Sequence, residues 1–92
     1  MVGITTDELK DKLTKGHEAE FVYSSTHYSI ESVHAYGKYK VRIWRSTNYK
    51  SRCIAEANAN TTKDIEGLFQ LKCFDDKCFY DIEPEITLEN IF

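Results

Sequence analysis

Glycine and proline are scarce, with four Gly and one Pro in 92 residues. That excludes a linker-rich, collagen-like or low-complexity chain. No apolar run approaches the roughly 20 residues a membrane-spanning helix requires. Residues 1–5 carry no basic region followed by an apolar stretch, so no secretory leader is expected. Three cysteines are an odd count. This argues against a disulfide framework and for a reducing, cytoplasmic home. There is no phosphate loop, dinucleotide fingerprint, nucleophile elbow or metalloprotease motif. Cys73 and Cys78 stand apart from Cys53, and His17, His27 and His34 lack the paired spacing of a zinc site. Asp75-Asp76 and the Asp81, Glu83, Glu85 series lack the glycine and terminal Glu of a calcium loop. They read as helix caps and surface charge. A catalytic Cys-His pair need not be close in sequence, but nothing positive supports one. A non-enzyme without metal or cofactor is therefore expected.

What is present describes one folded unit over residues 1–92. Hydrophobic residues at 41% and aromatics at 13% can fill a core, and 29% charge keeps it soluble. Thr5 and Glu8 are spaced for a capping box, and Ile4 and Leu9 for the accompanying hydrophobic staple. Leu9 and Leu13 share a helical face, and Gly16 is placed to stop the helix in a left-handed turn. The apolar stripe is narrow, which predicts a surface helix buried along one edge.

Alternation with period two follows. Ala19, Phe21 and Tyr23 oppose Glu18, Glu20 and Val22. After Ser24-Ser25-Thr26, Tyr28, Ile30 and Ser32 oppose His27, Ser29, Glu31 and Val33, so the two strands pair as a hairpin. Tyr36-Gly37 marks the next turn. Tyr39, Val41 and Ile43 then face the core, with Lys38, Lys40, Arg42 and Trp44 outward. Past Thr47-Asn48, a fourth strand alternates Tyr49, Ser51, Cys53 and Ala55, facing inward, with Lys50, Arg52, Ile54 and Glu56, facing outward. Its small inner residues call for a helix packed close. Thr61 with Asp64 opens a second helix whose apolar face is Ile65, Leu68 and Phe69. Residues 71–82 read either as a hairpin around Asp75-Asp76-Lys77 or as a short helix capped by Asp75 or Asp76. The spacing of Cys78, Phe79 and Ile82 favours the helix. Residues 85–89 alternate as a last short strand. The fold class is α+β: an N-terminal helix, a four-stranded antiparallel meander, and short C-terminal helices packing on one sheet face.

The order helix, Gly16-x-Glu18-x-Glu20-Phe21-x-Tyr23, short turn, Tyr28-Ser29-Ile30 resembles a group of small proteins from Firmicutes and their mobile elements. The segment Phe74–Ile82 resembles the aspartate-lysine turn and helix near their C-termini. Ser24-Ser25-Thr26 departs from the Asn-Gly or Gly-Lys of that group, and residues 45–52 match nothing in it. The resemblance implies a helix, a meandering antiparallel sheet and C-terminal helices. It implies no activity.

Charge is the one feature that invites a function. Lys38, Lys40, Arg42, Arg45, Lys50 and Arg52 fall in 15 residues with no acid between them. The chain holds 12 basic and 15 acidic residues, so removing these six leaves an excess of nine acids elsewhere. Lys40, Arg42, Trp44, Lys50 and Arg52 make a partner-binding surface on the third and fourth strands. Basic residues around an exposed ring suit a protein partner. They also suit single-stranded nucleic acid, with charge for the backbone and a ring for the bases. The acidity of the whole chain favours the protein. A blander expectation competes with both: Glu18, Glu20, Glu31 and Glu56 share the outer face and can neutralise the patch. The sequence leaves the oligomeric state open.

Overall fold

Thr5 opens the first helix as its spacing requires. Its hydroxyl accepts the Glu8 amide at 3.1 Å, and the Glu8 carboxylate accepts the Thr5 amide at 3.3 Å. The computed structural model describes residues 1–92. The elements run α1 (Thr6–Thr14), β1 (Ala19–Tyr23), β2 (Thr26–Ala35), β3 (Lys38–Thr47), β4 (Lys50–Asn58), α2 (Thr62–Phe69), α3 (Phe79–Ile82) and β5 (Thr87–Ile91). A single 3-10 turn, Glu83–Glu85, joins α3 to β5. Gly16 ends α1 at φ +86°, and a Cβ there would sit 3.2 Å from the Tyr39 ring. Glycine is thus required both by backbone and by space. The same capping box recurs at α2, where Thr61 and Asp64 exchange hydrogen bonds at 3.2 Å each.

The sheet is fully antiparallel in the order β4-β3-β2-β1-β5. The expected four-stranded meander gains a fifth member, because the last short strand, expected over residues 85–89 and found at Thr87–Ile91, joins it. The last strand returns to the free edge of β1, where Leu88 pairs with Phe21 and Ile91 with Ala19. Leaving those apolar side chains beside an open edge would cost more than the closure. Three hairpin tips are two-residue turns with both residues at positive φ: Ser24-Ser25, Tyr36-Gly37 and Asn48-Tyr49. Such turns match the right-handed twist of the strands and normally recruit glycine. Only one of them does.

Helices α1, α2 and α3 supply Leu9, Leu13, Ile65, Leu68, Phe69, Phe79 and Ile82 to one core with Phe21, Tyr28, Ile30, Val41 and Ile43. All three therefore lie on one side of the sheet. Small residues Ala55 and Ala57 of β4 let α2 approach, as their sizes predict. Aromatic contacts tie the layers together: Phe21 stacks on Tyr28 at 5.2 Å, and Phe69 on Phe79 at 4.0 Å.

The C-terminal segment corrects the expected helix cap. Asp75 and Asp76 both adopt positive φ in a tight turn, closed by Phe74 and Lys77 exchanging backbone bonds at 3.0 and 3.1 Å. The helix begins after it, at Cys78, whose amide donates to the Asp81 carboxylate at 3.0 Å. Turn and helix are both present, in series. That bond and the other contacts of Cys78 hold Asp81 below the usual carboxylate pKa range. No helix is long and apolar enough to cross a membrane.

Candidate protein-interaction face

The side of the sheet opposite the helices is covered by nothing else in the chain. Its residues are dictated by alternation away from the core. With Val41 and Ile43 fully buried, Lys40, Arg42 and Trp44 of β3 must face the other way. Their neighbours across β2 are Val33, Glu31 and Ser29, in that order. Glu20 and Val22 of β1 continue the face beyond β2. Most of these side chains are half-buried by one another.

Arg42 and Lys40 are not free. The Glu56 carboxylate of β4 accepts from Arg42 Nε at 2.8 Å and from Lys40 Nζ at 3.4 Å. These bonds, Arg42 first, hold the Glu56 carboxyl below the usual range. The bond to Glu56 in turn raises the Arg42 guanidinium above its ordinary pKa. Both groups stand in water, so the pairing orders side chains more than it stabilises the fold. Of the expected neutralising acids, Glu56 does this directly. Glu31 lies opposite Arg42 without a bridge, Glu18 accepts the Ser32 amide at 3.0 Å, and Glu20 meets Asn90 at 3.5 Å.

Lys50 and Arg52 are not where alternation put them. A bulge interrupts β3–β4 pairing, so that Ile43 faces Ala55 while Trp44 faces Cys53. Ile54 is the extra residue, and it packs against the core. Beyond the bulge, Ser51 opposes Ser46, with their hydroxyls 3.1 Å apart, and Arg52 opposes Arg45. Directly paired residues share a face. Arg45 is on the helix side, opposite buried Tyr28, with its guanidinium on Asp75 at 3.3 Å. The five residues singled out in the sequence are thus split. Lys40, Arg42 and Trp44 stay together on the uncovered face, and Lys50 and Arg52 turn to the other side at the hairpin tip. Cys53, expected inward, is exposed beside Trp44.

Trp44 is half-buried rather than free in solvent, and its indole N–H is sealed from water with no acceptor. On a face that no helix covers, this means that the ring is laid against its own sheet. Leaving that donor unpaired costs about 1–3 kcal/mol.

Alternation does mark Val33 as outward and apolar, and it lines a groove of about 390 Å³ with Ala35, Tyr36, Lys38, Lys40 and Arg42. Tyr36 and Tyr49, fully exposed at their hairpin tips, both sit at positive φ. None of the cysteines, histidines or acids gathers into a group able to hold a metal ion. Cys73 is half-buried, and that burial pushes its thiol above the ordinary pKa. A match with family models, curated proteins or solved structures is not found for this chain.

Proposed function

We propose that the chain is a non-catalytic protein-interaction or regulatory domain, and that the helix-free sheet face around Trp44 receives its protein partner. The observation that carries this reading is the asymmetry of the sheet. One side is sealed by three helices, and the other leaves Trp44, Val22 and Val33 half-buried among charged side chains that no element covers. An aromatic ring beside Arg42, with aliphatic groups around it, is the composition of an interface centre. Lys40 and Arg42, preordered by Glu56, would bring less entropy cost to the contact than free side chains.

Two features weigh against single-stranded nucleic acid on the same hairpin. Glu56 already compensates Lys40 and Arg42, and Lys50 and Arg52 point away from them. A basic track needs those charges free and aligned.

The test is affinity capture with the full chain and with Trp44→Ala and Arg42→Ala, each first shown to fold by circular dichroism. A common set of proteins lost from both variants is expected. Retention of every captured protein by both would remove the proposal.

A further inference from the structure

Two hollows of opposite charge share the uncovered face. The first, about 200 Å³, is lined by Glu18, Glu20 and Glu31 with Phe92, and by no basic residue. The second, about 390 Å³, is the groove of Lys38, Lys40 and Arg42, of which Lys40 and Arg42 share Glu56 and Lys38 is unpaired, so that the groove keeps a net positive charge. Strand β2 joins them, giving Glu31 to one and Val33 to the other, at successive outward positions.

We propose that this face closes on the same face of a second copy of the chain, the acidic hollow of each receiving the Lys38 ammonium from the rim of the other's basic groove. The inference rests on the preceding reading of the face as a protein-binding surface and names the partner. A partner of a single charge sign would satisfy one hollow and be repelled by the other. A second copy carries both signs at the matching separation. A two-fold axis lying in the contact plane, midway between the hollows, exchanges them, so one rotation makes both charge contacts.

The dimensions agree. Five strands at about 4.8 Å and some eight residues at about 3.3 Å give a face of roughly 600 Å². That approaches the roughly 800 Å² per partner of a standard interface. Antiparallel sheets stack face to face at about 10 Å, close enough to desolvate Trp44 and the two valines. Lys38 has no carboxylate within 4.0 Å in its own chain, so its ammonium is available to a partner. Glu18 is held in place by the Ser32 amide, and this fixes one wall of the receiving hollow.

The experiment is sedimentation of the full chain, wild type and variants, at about 100 µM and lower. Wild type is expected to sediment as a dimer that dissociates with added salt. Glu20→Lys and Lys38→Glu each set like charges against each other at the contact between positions 20 and 38 and weaken dimerisation about tenfold or more. Both substitutions in one chain exchange the charges at positions 20 and 38 and restore that contact and the dimer, which a folding defect would not do. A monomeric wild type, single variants that dimerise as wild type does, or a double variant no better than the singles each overturn the proposal. Any of these, together with partner loss on Trp44→Ala, overturns self-association alone and leaves the face as a binding surface.

Discussion

One face of the sheet contributes to a core of 16 buried residues with no polar or charged residue among them. The other face mixes carboxylates, amines, hydroxyls and an indole, nearly all of them half wet. The same five strands build both. The difference lies in what each face decides. The covered face fixes register, because a slip by one residue would put every core side chain into water. The uncovered face fixes little of the fold and is free to carry recognition.

Neighbouring residues in β2 offer the hardest test of that contrast. Ile30→Ser places a hydroxyl in the core and removes a buried side chain, with an expected loss of about 3–5 kcal/mol in urea unfolding. Ser29→Val, one position along and on the open side, should move the same measurement by no more than about 0.5 kcal/mol. Equal effects would mean that the two faces do not differ as described. Phe21→Ala, which removes the ring stacked on Tyr28, should match the first of these at about 3–5 kcal/mol.

Smaller changes sharpen the picture at the edges. Tyr49→Gly relieves a tyrosine held at φ +66° and creates an Asn-Gly turn, so a gain of about 1 kcal/mol is expected in thermal unfolding. Trp44→Phe removes an indole donor that has no acceptor. Relief of the donor is offset by the apolar area the smaller ring gives up, so stability should change by less than about 1 kcal/mol, while capture of the partner falls. The pH response of the open face is smaller still. Glu56 has a folded pKa below its ordinary value, so its contribution is complete above that ordinary value. It is lost as the pH falls through the lowered one. Glu56→Gln should flatten this part of the acid limb of a stability-pH curve.

Much of the covered face was legible in the sequence. Both N-terminal caps of α1 and α2, the glycine stop and the alternation of β1 to β3 are local signals, and each settles its own stretch. The last strand was legible as a strand, but its place in the sheet was not. Nothing within residues 87–91 says that they return to β1, since that pairing is settled by what Phe21 and Ala19 lack at their free edge. The tight turn at Asp75-Asp76 is one of two alternatives in the sequence, and the helix cap competes with it because aspartate serves both as helix cap and as a left-handed turn residue. The candidate surface was read only in part for a related reason. Strand β4 alternates smoothly on paper, so an extra residue at Ile54 leaves no mark. Trp44 was placed on the correct side. Its partial burial depends on neighbours from β2 and β4 that alternation does not specify.

The irregularity in β4 has a further consequence. Two anchors act on that strand from opposite ends. The two-residue tip sets the phase of Lys50 to Cys53, and the approach of α2 sets the phase of Ala55 and Ala57. They disagree by one step, and the bulge absorbs the mismatch like an expansion joint. Residues on the tip side are therefore answerable to the turn alone. That ribbon end can be shortened, lengthened or exchanged for another without the hydrophobic layer registering the edit.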